Sequence, residues 1–142
     1  MTHLKSALRK AVKAMAAQKG EFTLFALLLR TDALGTWDLV VSAPWLESGQ
    51  LKSTGEFIRL LTKLIGEESL QHFSRVVTLD KDAPEVRFLV EHFPTYNEEI
   101  REAQSIDLFG LQIQAATIFR AKNPKILSNK TPQSSAPRAR RA

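Results

Sequence analysis

The sequence of 142 residues contains no cysteine. This absence excludes disulfide bonds, thiol nucleophiles and cysteine-ligated zinc sites, and it is compatible with a reducing compartment, so we expect a cytoplasmic protein. Long apolar runs are also missing, since the run around Phe25 to Leu29 is far shorter than the roughly 20 residues that a membrane-spanning helix requires. We therefore predict no membrane span.

Acidic residues are missing from both ends of the chain. Residues 1–20 hold five lysines or arginines and residues 121–142 hold six, whereas residues 21–120 hold all fifteen acids against nine bases. The formal net charge of +5 therefore comes from the two ends. A folded domain that reads nucleic acid normally carries basic residues on its globular body, so this acidic centre confines the expected polyanion binding to the ends.

Recognisable chemical motifs are missing as well. The six glycines are scattered and form neither a phosphate-binding loop nor a dinucleotide fingerprint. His3, His72 and His92 lack the spacing that places two metal ligands on one helix face, and no serine lies in a nucleophile elbow. These absences favour a non-catalytic protein and predict neither a cofactor nor a metal site.

An apolar share of 44%, close to that of ordinary globular proteins, predicts one compact domain over residues 1–120. Its first element is a basic amphipathic helix over residues 3–19, whose apolar side chains recur every three or four residues. Gly20 is suited to end this helix. We expect the helix to pack on the domain, and the alternatives are a membrane-surface helix or a targeting segment.

Two strands and a second helix are predicted next. Glu21–Arg30 carries apolar residues on both faces, which indicates a central strand, and Trp37–Ala43 is expected to form a hairpin with it. Ser53 and Glu56 have the spacing of a capping box at a helix start. The buried stripe of this helix is predicted to contain Phe57, Leu60, Leu61, Leu64 and Ile65, with Gly66 at its end.

The second half of the domain contains segments with two interpretations. Val86–Phe93 is rich in β-branched and aromatic residues, which favours a strand, although Asp82 and Pro84 would also suit the start of a helix there. Residues 98–105 fit either a helical turn or a strand edge. Arg75–Leu79 and Leu111–Arg120 are predicted strands.

The resulting order of elements, α-β-β-α-β-β-β, favours an α+β fold in which helices pack on a mainly antiparallel sheet. Residues 121–142 contain three prolines, four serines or threonines and no acid, and they lack apolar periodicity. They are therefore predicted to form a disordered basic tail.

Trp45 and Leu46 are the candidate interface residues of the domain. They follow Pro44 in a predicted loop, where an apolar pair either folds back onto the helix that contains Phe57 or meets a partner. Tryptophan is enriched at binding hot spots, so an interface or a pocket wall is the functional alternative to folding back.

Acidic residues at two further places need an explanation. Asp80 and Asp82, two residues apart at a strand end, could hold a hard cation with Glu85, but a polar turn explains them equally well. Asp38 lies within an apolar strand and needs a partner if it is buried. Arg30, across the predicted hairpin, is the expected partner of a structural ion pair.

These observations predict a non-catalytic interaction or regulatory module that associates with itself or with a protein partner. Its basic tail is expected to bind nucleic acid or another polyanion weakly and without sequence preference, because cations neutralise phosphates without reading bases. The candidate polyanion-binding residues are Lys130, Arg138, Arg140 and Arg141. The alternative is a small enzyme or ligand-binding domain with a pocket near Trp45 and the Asp80–Asp82 turn.

Overall fold

The computed structural model describes residues 2–32, 35–46, 51–96, 99–108 and 110–122. In this part of the chain four helices pack on one five-stranded sheet, which confirms the predicted α+β class. The helices are α1 (Thr2–Lys19), α2 (Leu51–Ile65), α3 (Glu67–Leu70) and α4 (Pro84–His92). The strands are β1 (Leu24–Arg30), β2 (Trp37–Ser42), β3 (Phe73–Thr78), β4 (Arg101–Leu108) and β5 (Leu111–Ala121).

The sheet has the strand order β3-β2-β1-β5-β4 and is mainly antiparallel. The predicted hairpin of β1 and β2 is confirmed, and the antiparallel pairs β1–β5 and β4–β5 complete that side of the sheet. β3 instead lies parallel to β2. Parallel strands need a long connection that returns the chain to the same end of the sheet, and α2 with α3 forms that connection.

β1 is the central strand, as its sequence predicts. Its side chains alternate between two apolar layers, so that Phe25 and Leu27 pack under α1 and α2 while Leu24, Ala26 and Leu28 face the side covered by α4. All five side chains are buried. The sheet therefore has a core on each face, which explains why this segment is apolar at consecutive positions.

The predicted strand over Val86–Phe93 is wrong, because these residues belong to helix α4 apart from its C-cap residue Phe93. Pro84 occupies the first helical turn, where a backbone N–H has no acceptor within the helix. The lack of an N–H in proline therefore costs no hydrogen bond there. Val86 and Leu89, three residues apart, are buried against the sheet. A helical period of apolar residues thus prevails over the β preference of the individual residue types.

The predicted capping box is also wrong. α2 begins at Leu51, so Ser53 is the third residue of the helix instead of its cap. The predicted end of this helix is confirmed: Gly66 has a φ of 90° and its N–H donates to the carbonyl oxygen of Thr62 at 2.8 Å. The polar segment that could be helix or strand edge contributes to strand β4.

Gly20 ends α1 as predicted, and it also lies against Trp45. Its φ of 123° belongs to the left-handed region, and its N–H donates to the carbonyl oxygen of Ala16 at 3.0 Å. A Cβ atom at this position would lie 3.1 Å from Cδ1 of Trp45. Both the backbone conformation and the neighbouring indole ring therefore require glycine.

We expect Gly20→Ala to lower the free energy of unfolding by about 1–2 kcal/mol, since a non-glycine residue is strained at this φ and the Trp45 ring must shift. Urea melts measure the change. Gly66→Ala is the matched control, because Gly66 also has a positive φ but a Cβ there would meet no atom within 4 Å. An equal decrease in the two variants would show that the proximity of Trp45 contributes nothing.

Candidate polyanion interface

α1 presents a basic face to solvent. Its apolar face is buried in the core, while Arg9, Lys10 and Lys13 on the other side are exposed. Arg9 and Lys10 have no ion pair with any residue that the structure describes, whereas Lys5 at the edge of this face pairs with Glu102 of β4. The predicted packing of the basic helix on the domain is confirmed.

Lys122, the last residue that the structure describes, lies beside the end of α1. The backbone N–H of Lys122 donates to the carbonyl oxygen of Thr23 at 2.8 Å, and its Nζ lies 3.0 Å from Oε2 of Glu21. Glu21 comes two residues after Lys19, the last residue of α1. Lys122, the first cation of the C-terminal basic segment, therefore lies close to the end of α1.

Glu21 links the end of α1 to Arg120 and Lys122 through a largely buried charge network. Its Oε1 accepts hydrogen bonds from Nε of Arg120 at 3.2 Å and from the backbone N–H of Phe22 at 3.0 Å. Burial raises the pKa of Glu21, but the hydrogen bonds from Phe22 and Lys122 and the charges of Lys122 and Arg120 outweigh burial, so the pKa is lowered from its ordinary 4.5. The carboxylate is thus kept charged between two cations.

This network should make stability depend on pH in the acidic range. A carboxyl group whose pKa is lowered by folding contributes stability above its unfolded pKa of about 4.5, and this contribution is lost as the pH falls through the folded pKa. We therefore expect Glu21→Gln to be less stable than the parent at pH 7, with the difference shrinking below pH 4.5 in urea melts. Glu102→Gln, which removes a more exposed acid, serves as the control and should show a smaller change with pH.

The four candidate residues of the tail, Lys130, Arg138, Arg140 and Arg141, lie outside the described residues. Their role in polyanion binding therefore stays a prediction, as does the predicted disorder of residues 123–142. The predicted start of the tail at residue 121 is wrong, because Ala121 is the buried last residue of β5 and the N–H of Lys122 donates to Thr23. The structure supplies the start of this segment, at Lys122. It also shows that the α1 cations are exposed and that α1 ends near Lys122, a position that sequence reasoning could not predict.

Trp45 folds back onto the core, which confirms the structural interpretation of this residue. Its Nε1 donates to the carbonyl oxygen of Gly20 at 2.8 Å, and its ring centroid lies 5.3 Å from that of Phe22 and 6.4 Å from that of Phe57. Leu46 is buried in the same core. Trp45 keeps partial exposure whereas Leu46 is buried, so of these two candidate residues only Trp45 is accessible to a partner.

The acidic turn at Asp80–Asp82 and the Trp45 loop follow the ends of two neighbouring parallel strands, because the N–H of Leu79 donates to the carbonyl oxygen of Val41 at 2.9 Å. The Trp45 ring, however, packs against α2 and the end of α1. In the described part of the chain no three acidic or histidine residues group as metal ligands. His92 lies elsewhere, stacked on Phe88 with 4.3 Å between ring centroids.

Asp38 is buried in β2 and pairs with two arginines. The predicted partner Arg30 is confirmed, with its Nε 3.2 Å from Oδ2 of Asp38. Arg75 of β3 donates a hydrogen bond to the same oxygen from its Nε at 3.1 Å. Sequence reasoning missed Arg75, because the parallel pairing of β2 with β3 leaves no local signal. The three side chains form a structural ion network at one end of the sheet.

Helix length and comparison with other proteins add little about function. No helix in the described ranges is both long enough and apolar enough to cross a membrane. A cytoplasmic location stays a prediction. Comparison with protein-family models, with curated proteins and with solved structures finds no match to this chain.

Proposed function

We propose that the protein is a non-catalytic interaction module that binds polyanions, such as nucleic acid, through its two basic ends. The observation that carries this proposal is the contact between Lys122 and Glu21, because it brings the start of the basic tail to the end of α1. The exposed cations of α1 and the cations of residues 122–142 can then contact one ligand together.

The spacing of the α1 cations suits a phosphate backbone. Arg9 and Lys13 are four residues apart, so they lie on one helix face about 6 Å apart along the axis. Each strand of duplex DNA carries a phosphate about every 3.4 Å along its axis, so cations about 6 Å apart are close to the spacing of two phosphate steps. The arginines of the tail add donors that bind a phosphate in a bidentate manner.

Binding of this kind is weak and independent of sequence. Residues 121–142 contain no aromatic residue, so the tail lacks the stacking groups that single-strand binders use. Contacts to phosphates fix position without reading bases. The acidic centre of the chain, with fifteen acids against nine bases over residues 21–120, further limits the affinity by repelling the ligand.

The test is fluorescence anisotropy of labelled DNA of two unrelated sequences, with the full chain, over a series of salt concentrations. We expect equal affinity for both sequences and a steep linear fall of log affinity with log salt concentration. Replacing Arg138, Arg140 and Arg141 together by alanine should weaken binding and reduce the slope by up to about 0.9 for each phosphate that the variant no longer neutralises.

A pair of charge-reversal variants tests how much α1 contributes to polyanion binding. Lys10→Glu on α1 should weaken binding, whereas Arg87→Glu on α4, which changes the net charge by the same amount, should have a smaller effect. Undiminished binding by the tail variant and by Lys10→Glu would place the binding surface elsewhere and overturn the proposal. Absence of binding to any polyanion at low salt would overturn it too.

A further inference from the structure

Tyr96 is the most exposed large apolar side chain in the described part of the chain. Its exposed fraction is 64%, compared with 39% for Leu111 and 37% for Leu64. It lies between α4 and β4, and neither core cluster contains it. Single exposed rings are common on protein surfaces, so the groups around Tyr96 decide whether it can bind a ligand.

The backbone holds Tyr96 in place although its ring is exposed. The preceding residue, Thr95, is 4% exposed and is bound twice to Ala121 of β5. Its N–H donates to the carbonyl oxygen of Ala121 at 3.0 Å, and its Oγ1 accepts from the N–H of Ala121 at 3.0 Å. The carbonyl oxygen of Tyr96 accepts from the N–H of Glu99 at 3.2 Å. This anchoring lowers the entropy that is lost when the ring contacts a ligand.

A positive charge lies next to this anchored segment. Lys122 follows the residue that pairs with Thr95, so the α-carbons of Tyr96 and Lys122 are at most about 13 Å apart. Glu21 contacts two cations, with 3.2 Å to Nε of Arg120 and 3.0 Å to Nζ of Lys122. One carboxylate offsets only one of these two charges, so one positive charge is left over.

Arg101, the first residue of β4, adds a further cation. Its Nη1 donates at 2.9 Å to the carbonyl oxygen two residues before Tyr96, so its guanidinium group lies against the same segment. Arg101 offsets the charge of Glu99, the exposed acid of this connection. On α4, Arg87 offsets Glu91 one turn later. The acids described here therefore do not cancel the positive charge left over at Glu21.

A second exposed ring, that of His92, lies on the same stretch of chain. His92 is the last residue of α4, and one face of its ring is stacked on Phe88, with 4.3 Å between the ring centroids and 28° between the ring planes. Its Nδ1 lies 2.9 Å from the carbonyl oxygen of Phe88, which fixes the plane of the ring. Residues 92–96 thus carry two exposed rings just before the segment that pairs with the end of β5.

Exposed rings beside cations suit a nucleic acid whose bases are unpaired. A base stacks on the ring while the neighbouring phosphates contact the cations, and every base has a face that can stack. In a duplex the bases are stacked on one another and present only their edges in the grooves, so an exposed ring on the protein surface gains no stacking contact. This difference separates single strands from duplexes.

We propose that the polyanion is single-stranded nucleic acid, and that Tyr96 stacks on an unpaired base while Lys122 and the cations that follow it in the sequence contact the flanking phosphates. This inference rests on the proposed function, because the cations provide the attraction that brings the strand to the ring. It adds a contact that residues 121–142, without an aromatic residue, cannot make. The stacking contact requires unpaired bases and no particular sequence.

Fluorescence anisotropy of the full chain with two labelled probes tests this proposal. The probes are an oligothymidylate of about 20 nucleotides, longer than a typical single-strand site, and the same strand annealed to oligoadenylate. Tyr96→Ala should weaken binding of the single strand at least about fivefold, the lower end of the effect of removing a stacking ring, and should change duplex binding less than about twofold. Tyr96→Phe keeps the ring and should bind both probes as the parent does.

Leu111→Ala is the matched control. Leu111 is also an exposed apolar residue, but it is the first residue of β5 and so lies at the opposite end of that strand from the residue that pairs with Thr95. Its truncation should leave binding of both probes unchanged. A fluorescence measurement adds an independent test: the indole of Tyr96→Trp should be quenched by the single strand, beyond any quenching in the parent, and not by the duplex.

The dependence on salt separates stacking from charge. A stacked base releases no counterions, so Tyr96→Ala should lower the affinity for the single strand without changing the slope of log affinity against log salt concentration, whereas replacement of the three tail arginines reduces that slope. Equal effects of Tyr96→Ala on the two probes, or none on the single strand, would overturn this proposal and leave the proposed function intact. Absence of binding of both probes to the parent chain would overturn both.

Discussion

Leu61→Ala should lower the free energy of unfolding by about 2–5 kcal/mol, the range for truncating a buried leucine. Leu61 is fully buried on α2 and belongs to the core cluster that contains Phe57 of the same helix and Phe25 of β1. Truncating its isobutyl side chain to a methyl group leaves a cavity between a helix and the central strand, and neither element can move to fill it without disturbing its packing elsewhere. Urea melts followed by circular dichroism measure the decrease.

Leu64→Ala is the matched control for this prediction. Leu64 lies three residues further along the same helix and is 37% exposed, so its predicted place in the buried stripe is wrong. Its truncation removes less buried area and leaves no enclosed cavity. We expect a decrease of less than about 1 kcal/mol for this variant. Overlapping melts of Leu61→Ala and the parent chain would contradict the packing of α2 on the sheet.

Asp38→Ala should destabilise the protein by about 3 kcal/mol, the lower end of the range for breaking a buried ion pair, because Arg75 is half-exposed and keeps part of its hydration. The carboxylate of Asp38 lies between the guanidinium groups of Arg30 and Arg75, so its removal leaves two cations facing each other across β2. Their mutual repulsion adds to the removal of two attractive interactions. The free energy of unfolding from urea melts checks this expectation.

Asp32 provides the control, since its Oδ1 also lies near Nε of Arg30, at 3.6 Å, but its side chain is 73% exposed. Exposed ion pairs contribute little because water screens them, so Asp32→Ala should change the free energy of unfolding by less than about 0.5 kcal/mol. A similar decrease for the two variants would mean that burial of Asp38 does not strengthen its interactions.

Elements governed by local signals could be predicted from the sequence. The apolar stripe around Phe57 and Leu61, the helix-ending glycines Gly20 and Gly66, and the doubly apolar central strand β1 each follow from spacing within a few residues. The ion pair of Arg30 with Asp38 could also be predicted, because a hairpin brings neighbouring segments of the chain together.

Features that depend on distant parts of the chain could not be predicted. The parallel pairing of β3 with β2 depends on the direction in which α2 returns the chain, so Arg75 had no visible partner. The network of Glu21 with Arg120 and Lys122 joins residues about a hundred positions apart. The preference of Val86 for strands led to the wrong prediction for α4. The conformation of this segment is decided by the packing of the helix against the second core layer.

The position of β5 beside β1 bears on how the chain folds as it is synthesised. Leu28 pairs with Ala116, so the central strand lacks one neighbour until almost the whole domain has been made. At a synthesis rate of about 5–20 residues per second, the roughly 90 residues between them take about 5–18 s. During this time one edge of β1 has no partner strand, so the sheet is completed only after β5 has been made.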